Sequence, residues 1–95
     1  MDAQLKTKWV AALRSGEYPQ GTGYLEKGGC YCCLGVLCAI QDEKWKRHFG
    51  DDLYTETLPA SLNGELSKDE RRELAKQNDD GTKFAEIADY IEKNL

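Results

Sequence analysis

The run CCLGVLCAI, residues 32–40, is the strongest constraint on what this chain can fold into. Placed on a helix, Cys33, Val36, Leu37 and Ile40 share one face, while Leu34, Cys38 and the later Trp45 share another. A helix apolar around most of its circumference has to be covered on all sides. The segment from Cys30 to Cys38 is therefore expected to be the central, buried helix of the fold, with its neighbours built around it. Charge returns from Asp42 onward, so the second half of this helix is expected to emerge into solvent. Gly35 sits mid-run at a cost in helix stability, and the lack of a side chain lets another element approach closely.

Other elements can be placed around that helix. Asp2 caps a first helix over 3–15, where Leu5, Trp9 and Leu13 repeat every four residues with Ala12 beside them, and Gly16 stops it. The stretch GEYPQGTGYLEKGG, 16–29, is too rich in glycine for a helix. Tyr24-Leu25 has strand character, and Lys27-Gly28-Gly29 predicts a hairpin turn into Cys30-Tyr31. Leu53–Thr57 reads as a short strand, and Leu58-Pro59 as a turn or short helix. Ser67-Lys68-Asp69-Glu70 is a capping box. The helix it opens runs to about Gln77, and its thin apolar stripe of Leu66, Leu74 and Ala75 predicts a surface position. Asn78-Asp79-Asp80-Gly81 reads as a turn, and a last amphipathic helix follows over 82–94 with Phe84, Ile87, Ala88, Ile91 and Leu95 on one face. The expected fold is α+β: one compact domain over 1–95, about four helices and a small hairpin or short sheet.

Length and charge narrow the function classes. Ninety-five residues leave room for one core. The apolar run falls far short of the roughly 20 residues that span a bilayer, and MDAQLKTKWVAALRSG lacks the apolar core of a signal peptide. A cytoplasmic, reducing setting without a membrane partner follows as the expectation. The four cysteines are then free thiols or metal ligands before they are disulfides. Thirteen Lys and Arg against 17 Asp and Glu give a net charge of −4, which counts against nucleic acid as a partner. The basic cluster Lys44-Trp45-Lys46-Arg47-His48 is short and followed by Asp51-Asp52.

Several constellations could carry chemistry. Cys30-Tyr31-Cys32-Cys33 ends a C-x-x-C where a helix begins, and a helix N-terminus favours a thiolate. A dithiol redox site is one reading, although no parallel crossover precedes it. Cys30, Cys33, Cys38 and His48 would form a Cys3His zinc set, but Cys33 and Cys38 point different ways around the helix. A Cys33–His48 nucleophile pair has no local support. The remaining reading makes the cysteines small core residues among Leu34, Val36, Leu37 and Ile40, with no metal. No phosphate loop or dinucleotide fingerprint is present, so no cofactor is expected, and no catalytic residue is assigned. The stretch 14–24 offers the better candidate site. It sets Arg14, Tyr18, Gln20 and Tyr24 among glycines whose backbone N–H groups can hold anions. The competing reading is a surface loop with two aromatics folded onto the core. Phe84–Ala88 also looks like the first helix of a helix-turn-helix, with ordinary packing the better account.

Three blocks together resemble a group of small, largely uncharacterised phage and prophage proteins. They are Trp9…Leu13-Arg14-Ser15-Gly16…Tyr18…Gln20-Gly21, the segment YCCLGVLC at 31–38, and Asn78-Asp79-Asp80-Gly81…Phe84…Glu86-Ile87-Ala88…Ile91-Glu92. The chain departs from the pattern at Lys83, where a serine is expected as a cap, which passes that role to Thr82. The resemblance implies a phage setting, action in the cytoplasm of an infected bacterium and no named catalytic mechanism. It implies an accessory protein that binds stoichiometrically to a host protein, or to a small-molecule ligand such as a defence system's nucleotide signal. Such a site could be completed across a homo-oligomer interface. A cysteine-based redox or zinc protein, and more weakly a nucleic-acid adaptor, are the alternatives.

Overall fold

The computed structural model describes residues 1–41 and 65–95. The expected strand at 53–57, the turn at Leu58-Pro59, the basic cluster 44–48 and His48 all lie outside the described residues. Among those described, the order is α1 (Ala3–Ser15), β1 (Glu26–Lys27), β2 (Cys30–Tyr31), α2 (Cys33–Gln41), α3 (Lys68–Asp79) and α4 (Phe84–Asn94). They form one compact α+β domain.

Helix α1 forms as its sequence dictates. The Asp2 side chain accepts from the Leu5 N–H at 2.9 Å, and Gly16 ends the helix in the left-handed region at φ 79°. Leu5, Trp9, Val10 and Leu13 are buried, and α1 packs chiefly against α4 and α2. The hairpin pairs Glu26 with Tyr31 and Lys27 with Cys30. Gly28 and Gly29 form its two-residue turn at φ 61° and 85°, a combination that closes an antiparallel pair without strain only in glycine-like residues. The strand begins two residues later than Tyr24-Leu25 suggested. Leu25 instead turns inward, fully buried, and its carbonyl accepts from the Cys32 N–H at 3.1 Å. On the other side of Tyr31, residues 19–21 run parallel to it, with Tyr31 N–H donating to Pro19 O and Gly21 N–H donating to Tyr31 O, both at 2.7 Å.

Helix α2 is the centre, as its composition requires. Every residue from Cys33 to Cys38 is buried, with exposure returning over Ala39–Gln41. Its start is closed by side chains. Cys32 Sγ accepts from Gly35 N–H at 3.3 Å, as a serine cap would, and Asn78 Oδ1 accepts from Cys33 N–H at 3.2 Å. The Trp9 indole N–H reaches across to Cys33 O at 2.9 Å, tying α1 to the same turn.

Two expectations for the second half need correction. The capping box is present, with Ser67 N–H on Glu70 Oε1 at 2.8 Å and Glu70 N–H on Ser67 Oγ at 3.1 Å. The helix it opens continues to Asp79, however, so Asn78 and Asp79 belong to α3 and not to a turn. Leu74, Ala75 and Asn78 are buried, which docks one narrow stripe of α3 on the core and leaves the rest half-buried or exposed. Helix α4 begins at Phe84 after Lys83, which provides no side-chain cap, and Thr82 does not cap it either. The Phe84 N–H instead donates to Gln20 Oε1 at 3.1 Å, so the cap comes from 64 residues away. Phe84, Ile87, Ala88 and Ile91 are spent on the core, which accounts for the amphipathic pattern without a DNA-reading motif.

Candidate functional site

The four residues singled out in the sequence, Arg14, Tyr18, Gln20 and Tyr24, engage four different sets of partners. Arg14 stands at the last turn of α1 with a side chain 38% exposed. Its guanidinium holds Asp89 at 2.6 Å and Glu92 at 3.0 Å on α4. Hydrogen bonds to Glu92 first and Asp89 second push the guanidinium pKa up, so it carries full charge, locally neutralised by two carboxylates. Tyr18 is half-buried and meets Tyr31 edge-to-face, with ring centroids 5.2 Å apart. Tyr24 lies beneath Lys27, whose ammonium stands 4.4 Å from the ring centroid.

Gln20 has a structural assignment. Its Nε2 donates to Thr82 O at 2.6 Å and to Asn78 Oδ1 at 3.0 Å, while its Oε1 caps α4. Asn78 completes the network by donating from Nδ2 to Gly21 O at 2.8 Å. Two of the three glycines in 14–24, Gly21 and Gly23, have their N–H groups occupied, as does Gly29 beyond that stretch. Gly21 donates to Tyr31 O, Gly23 to Asp79 Oδ1 at 3.0 Å, and Gly29 to Glu26 Oε2 at 2.7 Å. The Gly-rich segment is thus stitched to β2 and to the end of α3, and a bound anion would have to displace bonds already made.

The cysteines follow their packing. Cys32, Cys33 and Cys38 are buried, Cys30 is half-buried, and all four are free. Position at a helix start was expected to favour a thiolate at Cys33. Burial reverses that: desolvation pushes Cys33 well above its ordinary range, and backbone hydrogen bonds from the helix start do not offset it. Cys33 Sγ donates instead to Leu74 O at 3.6 Å. Cys32 and Cys38 are pushed up to about 12 by the same desolvation. Among the described residues, no three His, Cys, Asp or Glu side chains gather where they could hold a metal ion. Cys30, Cys33 and Cys38 therefore do not form the metal-binding cluster of the zinc reading, and its fourth member, His48, is outside the described residues.

This thiol chemistry has a measurable consequence. At pH 8 the native protein should react with an aromatic disulfide reagent at Cys30 in a fast phase, and at the other three only as fast as it unfolds. Stability should also fall in base. The buried thiols hold their protons in the folded state above the ordinary value of 9.0. From about pH 9 upward the unfolded chain binds fewer protons than the native one, so unfolding releases protons and rising pH favours it. The denaturation midpoint should drop between pH 9 and 10 by the equivalent of roughly 2–4 kcal/mol summed over the three buried thiols, given a limiting slope of about 1.4 kcal/mol per unit for each thiol. Equal fast reaction of all four thiols would contradict the packing.

Among the described residues, concave exposed surface lies elsewhere, along α1. A groove of about 450 Å³ is lined by Ala3, Lys6, Thr7, Val10, Ala11 and Arg14, with Glu92 at its α4 side. A second hollow of about 530 Å³ shares Ala3 and Thr7 and extends to Gln4 and Lys8. Of the four candidate site residues read from the sequence, Arg14 alone lines this groove. The small side chains at 3, 7 and 11 left the outer face of α1 without an obvious sequence signal. Their spacing of four places them in one line, which is the mark that could have found it. Asn78 was missed for another reason: asparagine before Asp-Asp-Gly reads as a turn, and its buried role depends on partners far away in the chain.

No helix among the described residues is long and apolar enough to cross a membrane. A family model described as a domain of unknown function (DUF8296) matches residues 1–62. No curated protein and no solved structure matches the chain.

Proposed function

The chain belongs to the DUF8296 family, and from that premise we propose that it is a small phage-type accessory protein that acts by stoichiometric binding, not by turnover. The matched span contains α1, the Gly-rich segment, the hairpin and α2, which is where the candidate surface and the helices that hold it lie. The observation that carries the reading is a contrast in exposure. Three of the four thiols, Cys32, Cys33 and Cys38, are buried with raised pKa values, whereas the outer face of α1 is open, concave and carries fixed charge. Concave surface with an apolar floor and a few placed polar groups is what binding uses. The resemblance to small phage proteins supplies the setting: a host protein or a small-molecule defence signal in the cytoplasm of an infected bacterium. Arg14, already neutralised by Asp89 and Glu92, favours a protein over a strongly anionic ligand.

Native mass spectrometry of the protein purified directly from a bacterial host tests this. The expected spectrum shows a complex of fixed stoichiometry that loses its partner when Ala11→Arg blocks the groove while the fold, read by circular dichroism, is kept. A bare polypeptide from every host and growth condition tried, with no effect on host physiology, would sink the proposal.

A further inference from the structure

We propose that the outer face of α1 docks an acidic amphipathic helix from a partner protein; this rests on the stoichiometric-binding reading. Three observations converge on that occupant. First, the face is hollow: the two adjoining depressions meet at Ala3 and Thr7, with Val10 and Ala11 along the floor, so a second backbone can come close. Second, α1 carries Lys6, Lys8 and Arg14 and no acidic residue, in a chain whose net charge is −4. Third, the charges are unequally spent. Arg14 is bound to Asp89 and Glu92, whereas Lys6 and Lys8 make no ion pair among the described residues and flank the hollows. An apolar seam between two unspent ammonium groups is complementary to a helix with small or aliphatic residues along one stripe and carboxylates beside it.

The same features weigh against the other occupants. A second copy docked symmetrically would lay α1 against α1 and set Lys6 and Lys8 opposite themselves. A nucleic acid would find two lysines beside an apolar floor, too little basic surface to hold a phosphate backbone, in a chain whose net charge is −4.

The test is a titration of isotope-labelled protein, followed through its backbone amides. The probes are a synthetic helical peptide with a leucine seam flanked by glutamates, the same peptide with lysine for glutamate, and a short DNA duplex. The expected result is saturable shifts within residues 3–15 on adding the glutamate peptide, and none with the other two. Lys6→Glu with Lys8→Glu should weaken that binding by about tenfold, as should raising salt until the screening length is roughly 3 Å. Thr7→Arg adds positive charge but fills the hollow, so loss of binding there shows that shape matters as well as charge. These positions are on the exposed side of α1, and unchanged amide spectra elsewhere certify the fold. Saturable shifts outside α1, equal binding of the lysine peptide or the duplex, self-association through α1, or no saturable shift would each overturn the assignment. A host complex that survives Thr7→Arg and the double glutamate variant would also overturn it, while leaving the stoichiometric-binding reading intact.

Discussion

Gly35→Ala should leave the chain unable to hold its native structure. A Cβ at position 35 would stand 1.8 Å from the Leu25 carbonyl oxygen and 2.7 Å from its carbonyl carbon. Non-bonded heavy atoms sit at roughly 3.5–4.0 Å, so the backbones must part by more than an ångström. Both sides of that contact are fixed. Leu25 is fully buried and its carbonyl accepts from Cys32, at the turn where Trp9 and Asn78 also bind. Moving α2 away from Leu25 breaks that turn, and moving Leu25 pulls the hairpin from the core. The expected cost exceeds about 4 kcal/mol, against a total stability of about 5–15 kcal/mol for a domain of this size. Loss of the cooperative denaturant transition and collapse of amide dispersion are the readouts. Gly16→Ala is the control: its φ of 79° is unfavourable for alanine but the space is open, so it should cost only about 1 kcal/mol. A native-like spectrum for Gly35→Ala would mean that Leu25 does not lie against α2.

Asn78→Ala should have the second largest effect. It removes the acceptor for the Cys33 N–H at the buried start of α2, the donor to Gly21 O and the acceptor for Gln20 Nε2. A buried backbone group left without a partner costs its full desolvation, so about 2–4 kcal/mol is expected, or a fall in melting temperature of roughly 10–20 °C. Gln20 is then held less firmly, and with it the Phe84 N–H at the start of α4. Gln20→Ala should therefore be destabilising by itself, and the double variant should cost less than the sum, with a coupling of roughly 1 kcal/mol or more. Additive losses would show that the two amides act independently. Because Gln20 is spent in this way, its removal should reduce stability before it reduces binding, whereas Ala11→Arg on the outer face of α1 should do the reverse.

These variants mark where sequence and tertiary structure divide the work. Periodicity alone placed α1 at 3–15, because Asp2, Gly16 and the four-residue repeat of Leu5, Trp9 and Leu13 are local signals. Composition alone made α2 central, because a run without a polar face has nowhere else to go. The capping box at Ser67 and the Gly28-Gly29 turn were legible for the same reason: each is complete within four residues. The end of α3 and the start of α4 were not. Asn78, Asp79 and Thr82 carry turn and cap propensities worth about 1 kcal/mol, and the partners that override them, Gly21, Gly23 and Gln20, lie more than 50 residues away. Gly35 falls between the two cases. The sequence says that something must come close there, and only the fold says that it is the Leu25 carbonyl. The candidate surface divides the same way. Arg14 could be picked out by residue type. The groove beside it had to wait for the tertiary structure, since a hollow is made by where small side chains stand relative to their neighbours, and Ala3, Thr7 and Ala11 carry no chemistry that announces it. What the sequence determined about this protein is the set of local elements and the helix that must be inside. What the structure decided is which polar groups those elements use up on one another, and so which face of α1 stays exposed and hollow.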